Sequence, residues 1–147
     1  MVCFLPLVPM AGINTHFEWE ALSSVSHSLK QVLLGGGRRH FLPKVARDPE
    51  STAEDGRRLD GRNLVDDWLR DKKKRGLRGH YVWNKGQFES VNPKYIDHLL
   101  GLFAYSHMDF EADRDKSSNG DPSLAEMTRK AIQILQKNPH GFFLFVE

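Results

Sequence analysis

The chain has 147 residues, 39% of them apolar and 27% charged, with a formal net charge of +2. That balance excludes a collagen-like chain, a coiled coil and a fully disordered protein, and it offers no global field for nucleic acid or an anionic membrane. One cysteine, Cys3, excludes an internal disulfide and a cysteine-rich zinc module.

Met1 to Ala11 is apolar but lacks a basic leading region and is interrupted by Pro6 and Pro9, so it makes a poor signal peptide. No stretch reaches the roughly 18 consecutive apolar residues of a spanning helix. Val32-Leu33-Leu34, closed by Gly35-Gly36-Gly37, predicts a strand entering a loop. A polar loop follows through Asp48-Pro49-Glu50. Leu64, Val65, Trp68 and Leu69 then recur at helical spacing behind Asp60, a predicted N-cap. From Arg38 to Arg78 there are thirteen Lys or Arg against eight Asp or Glu. The run Arg70 to Arg75 closes an amphipathic segment, which suits a solvated helix end better than a nucleic-acid face.

Tyr81-Val82-Trp83 predicts a second strand, Gln87 to Val91 a short helix, and Leu99 to Phe103 a third strand. A loop rich in Asp, Ser and Gly leads to the strongest helix signal. Pro122 opens it, Ser123-x-x-Glu126 forms a capping box, and Leu124, Met127, Ala131, Ile134 and Leu135 share one face. Phe142 to Val146 is a continuous apolar run, as expected of a strand buried on both faces and followed at once by Glu147. Strands alternating with helices predict an α/β fold with a mainly parallel sheet covered on both sides.

Three motifs bear on chemistry. Gly35-Gly36-Gly37-Arg38-Arg39 could cradle a phosphate with backbone N–H groups and two guanidinium groups, but it lacks the Lys-Ser/Thr of a P-loop and a tight glycine turn explains it better. Asp115-x-Ser117-x-Asn119-Gly120-x5-Glu126 approaches a calcium-loop spacing, with Pro122 against it. It motivates an alternative reading as a non-enzymatic calcium-binding or interaction module. Seven histidines occur, none at a zinc-binding spacing, and no Gly-x-Ser-x-Gly nucleophile elbow is present.

These stretches also form an ordered series that resembles animal alkaline phosphatases, and invertebrate members in particular. The resemblance rests on Leu34 to Arg38, Arg58 to Val65, Tyr81 to Asn84, Leu100 to Phe103, Asp121 to Met127 and Asn138 to Glu147. It covers about residues 29 to 147, leaving 1–28 as an unmatched, poorly ordered head. It implies a partial three-layer α/β/α domain, truncated at both ends. Its parent would hydrolyse phosphate monoesters through a phosphoserine intermediate, using two Zn²⁺ and one Mg²⁺, as a homodimer that is lipid-anchored or secreted.

The resemblance further implies that Glu147 is a magnesium ligand. Glu50, the Phe103 carbonyl and Asp121 match three of four calcium ligands; Ala104 stands where the second Glu is expected, which counts against calcium and leaves Asp121 the role of a helix N-cap alone. The family's nucleophile and zinc ligands match no residue here, so Ser23, Ser24, Ser26 and Ser28 are not nucleophiles on this reading and the chain alone is inactive.

Overall fold

A computed structural model of the chain describes residues 2–5 and 31–147. Its sheet contains β1 (Val2–Leu5), β2 (Val32–Gly35), β3 (Gly79–Val82), β4 (His98–Leu102) and β5 (Phe143–Val146). Three helices accompany them: α1 (Leu64–Lys74), α2 (Lys85–Ser90) and α3 (Leu124–Leu135). The strand order is β3-β4-β2-β1-β5. Strand β4 runs parallel to β2 and β3, whereas β1 is antiparallel to both β2 and β5. Strands β2 to β5 therefore all point the same way. Of the residues set apart as a head, Val2–Leu5 forms part of this sheet, and the four serines between 23 and 28 lie outside the described residues.

Side chains alternate between the two faces of the pleat. Val32, Leu34, Val82 and Leu99 pack with Phe88, Phe103 and the buried stripe of α3, which is Met127, Ala131, Ile134 and Leu135. Leu33, Tyr81, Leu100 and Leu102 face the other way, onto Phe41, Leu42 and the α1 residues Leu64, Val65 and Trp68. Two helical layers with the sheet between them make the α/β/α sandwich that the alternation of elements predicts.

Two sequence expectations need correction. Helix α1 is capped by Asn63, whose side-chain oxygen accepts from the N–H groups of Val65 at 3.1 Å and Asp66 at 3.4 Å. Asp60 is instead drawn to the Arg58 guanidinium and to the Arg62 N–H at 3.1 Å. Gly61 between them takes φ 71°, a left-handed turn that separates Asp60 from the helix. Strand β5 is not buried on both faces either: Phe143 is 51% exposed and Phe145 46%. It stands at the end of the sheet, with β1 as its strand neighbour among the described residues. Phe142 and Leu144 do reach the core beneath α3.

Candidate functional site

The carboxyl ends of β2, β3, β4 and β5 gather at one edge of the sheet. Leu34, Gly101 and Val82 lie in one row, and Val146 is level with Leu34 across β1. Glu147 follows one residue beyond that row. In open α/β sheets this edge is where ligands bind.

The loop after β2 turns through Gly37, at φ 80°, into a single 3₁₀ turn, Arg38–His40. A side chain at Gly36 would bring its Cβ to 2.5 Å from the Ser106 carbonyl oxygen, so the loops after β2 and β4 meet backbone to backbone. The N–H groups of Gly37, Arg38 and Arg39 donate to the carbonyls of Ser106, Ala104 and Tyr105 at 2.6, 3.1 and 3.2 Å. The phosphate cradle that this glycine motif could have formed is thus absent, because its amides are spent on the neighbouring loop.

Arg38 is not a surface anion ligand either. It is fully buried, and its Nε and Nη2 donate to the two carboxylate oxygens of buried Asp48, both at 2.8 Å. Nη2 also reaches Glu50, and Nη1 donates to the Leu102 carbonyl at 2.7 Å. Burial works against the charge, but Asp48 and Glu50 outweigh it and hold the guanidinium above its ordinary pKa. Sequence alone does not mark this inward arginine among its neighbours. The available signal was the Asp-Pro-Glu triplet in the same loop, two carboxylates in search of a partner.

Beside Arg38 opens a concavity of about 230 Å³, lined by Glu50, Phe103, Ala104, Asp109, Asp115 and Asp121 among others. The structure thus brings together Glu50, Phe103 and Asp121, which are 71 positions apart at the extremes of the sequence numbering 50 to 121. It also adds Asp109, which sequence reasoning missed. Glu147 does not line this concavity. Asp121 is pushed up to about 6, chiefly by burial and then by the charges of Glu50 and Asp109, with Arg38 and Arg114 pulling the other way. It does not cap α3. Ser123 does, in a capping box: its hydroxyl accepts the Glu126 N–H at 3.2 Å while Glu126 accepts the Ser123 N–H at 2.7 Å.

A group whose folded pKa lies above its unfolded value binds extra protons in the folded state. Its contribution is therefore favourable below about pH 4 and is lost as pH rises through about 6. In chelator-containing buffer, Asp121→Asn is expected to stabilise the chain at pH 7.5 by about 1–2 kcal/mol after solvent screening, and to flatten its stability between pH 4 and 6. Urea midpoints across that range measure this. A variant with the wild-type pH slope would contradict the assignment.

The loop before α3 does not form a calcium loop of the spacing Asp115 to Glu126. Both Asp115 oxygens accept from Ser117, through its N–H at 2.8 Å and its hydroxyl at 2.9 Å. Glu126 is held by the capping box and by Lys85 at 3.2 Å. Among the described residues, no group of three or more His, Cys, Asp or Glu is placed to hold a metal ion.

Residues 18–147 match the family model for alkaline phosphatase. The chain belongs to the alkaline phosphatase family. It is 46% identical over 120 residues to an alkaline phosphatase of Gadus morhua, covering 79% of this chain and 24% of that protein. It is 44% identical over 117 residues to a membrane-bound alkaline phosphatase of Bombyx mori, covering 80% of this chain and 20% of that one. The human tissue-nonspecific isozyme is 44% identical over 119 residues, 79% of this chain and 22% of that protein. A crystal structure of Thermus thermophilus alkaline phosphatase superposes with a TM-score of 0.56 at 30% identity, over 76% of this chain and 19% of that one.

The chain therefore spans about a fifth to a quarter of the length of these relatives. Alkaline phosphatases are metal-dependent as a family, and they act on phosphate monoesters. Among the described residues, no helix is long and apolar enough to cross a membrane.

Proposed function

We propose that this chain is a segment of a metal-dependent hydrolase of phosphate monoesters that works through a phosphoserine intermediate. The observation that carries the proposal is the family match over residues 18–147, on a sheet whose strand ends gather at one edge. Two Zn²⁺ and one Mg²⁺ would supply the Lewis acidity and the activated oxygen nucleophiles of such a reaction. Within this chain Glu147 would hold Mg²⁺. A hard cation suits its carboxylate, and its place beyond β5 puts it at the ligand-binding edge.

The concavity fits Ca²⁺ in donor type, since its candidate ligands are oxygens: Glu50, the Phe103 carbonyl and Asp121. Its arrangement fits less well. Arg38 already engages Glu50, and Ala104 contributes a methyl group where the family places a carboxylate. We propose that calcium binding here is weaker than at a site with all four ligands. A homodimer and a cell-surface or secreted location belong to the same proposal, supported by family membership and, for location, by the name of the Bombyx mori relative.

The nucleophile and the zinc ligands of the family match nothing in this chain, so it should not turn over a chromogenic phosphate ester with Zn²⁺ and Mg²⁺ present. Residues 31–147, grafted in place of the matching stretch of the Bombyx mori relative, should support hydrolysis. In that graft Glu147→Gln should lower turnover by more than the ~10-fold that losing an outer-shell metal partner costs. Hydrolysis by the chain alone would refute its inactivity, and a folded graft without hydrolysis would refute the family function.

A further inference from the structure

A second concavity, of about 360 Å³, opens on the other side of the loop after β2. Its wall is the glycine run, and its polar side chains are Arg39, His40, Ser106 and His107. No Asp or Glu lines it. The acidic concavity described above shares only His107 with it.

Arg39, Arg57 and Arg129 have no carboxylate partner among the described residues, whereas each of the other arginines pairs with an Asp or Glu. Arg39 and Arg57 are joined through the backbone, the Arg57 N–H donating to the Arg39 carbonyl at 2.7 Å. Arg57 lines the adjoining concavity, across Tyr105, and its charge acts on His40. The nearest carboxylate in sequence, Asp55, is taken by Arg47 at 3.4 Å.

Arg39 is also held in place. Its guanidinium lies 5.7 Å from the centre of the Tyr105 ring, and its Nε donates to His40 Nε2 at 3.2 Å. His40 accepts that bond, so its imidazole is neutral at this nitrogen. Burial, then Arg39 and Arg57, keep its pKa below the ordinary value. The terminal Nη groups of Arg39 are left for a ligand. A planar fork of this kind fits two oxygens of one tetrahedral anion.

We propose that Arg39, with His40 and His107 beside it and with Arg57 adding positive charge from the adjoining concavity, forms a binding site for a phosphate group, either as the free ion or as the end of a phosphate ester. The glycine motif thus serves by leaving room beside the arginines, not by offering its amides. This inference is independent of the hydrolase reading, because it concerns binding by residues present in this chain.

Thermal unfolding and histidine NMR spectra of the 147-residue chain, titrated with inorganic phosphate at constant ionic strength, test it. Phosphate should raise Tm saturably above the chloride control and shift the His40 ring signals. Arg39→Gln and Arg57→Gln should each need about tenfold more phosphate for the same shift, whereas Lys73→Gln on α1 should respond as wild type. Phenyl phosphate matching inorganic phosphate would assign the site to the phosphoryl end, and a weaker response would assign it to the free ion. Equal effects of phosphate and chloride would overturn the proposal. So would an unchanged response in folded Arg57→Gln, whose side chain is exposed and whose fold circular dichroism checks directly.

Discussion

Replacing Arg38 with methionine is expected to lower the unfolding free energy of this chain by about 3–5 kcal/mol. The side chains of Arg38 and Asp48 are both fully shielded from solvent. Methionine keeps much of the volume but strands the Asp48 carboxylate, which would keep the Glu50 N–H at 3.0 Å as a donor but no counter-charge. It also strands the Leu102 carbonyl, at the last residue of a strand whose five residues are all buried. Breaking one side of a buried pair is costly because the remaining charge has left water without a counter-charge. Arg38→Lys should fall between wild type and methionine, since an ammonium keeps the charge but cannot form the two-pronged contact. Arg38→Met combined with Asp48→Leu should recover a large part of the loss, because the stranded charge is then gone and only the Leu102 carbonyl is left without its donor. Urea unfolding measures all three, and a loss under about 1 kcal/mol in Arg38→Met would refute the account.

Phe103→Ala should cost a comparable amount, about 3–5 kcal/mol, by opening a cavity. The ring is fully buried and meets Phe88 edge to face, at 5.6 Å between centroids. It also covers Gly101: a Cβ on that glycine would lie 2.5 Å from the ring's Cζ. The residue couples the core to the site, because its N–H donates to the Gly35 carbonyl at 2.8 Å and it lines the acidic concavity. Hydrogen exchange should therefore speed up both in α2, beneath the ring, and in the loop after β2. Phe103→Leu should cost less, as more of the volume remains. Exchange confined to α2 would show that the core and the loop are not linked through this residue. The losses at Arg38 and Phe103 should not be additive, since both act on the end of β4.

Helix α3 was legible in the sequence because local signals agree there. A capping box, an apolar stripe and a following Asn-Pro all mark the same segment, and tertiary structure had only to accept it. At α1 two residues competed for the cap, and Gly61 decided between them through a backbone turn that composition does not reveal. The apolar run of β5 was legible as a strand, but not its exposure, since burial depends on which strands stand beside it. The acidic concavity was half legible. Glu50, Phe103 and Asp121 came from family resemblance, while Asp109 enters through the path of a loop. The arginines inverted the expectation: Arg38 turns inward because Asp48 waits there, and Arg39, its neighbour, keeps the anion-facing position.

The outer edge of β5 bears on how the isolated chain behaves in a test tube. With β1 as its strand neighbour among the described residues, β5 carries Phe143 and Phe145 half in solvent, and such a strand is a template on which a second one can be laid down. Between Phe142 and Val146 no charge or proline interrupts it. Colloidal stability at high concentration is therefore governed by these few residues more than by the net charge of the chain, and work with the purified protein will be limited by that seam.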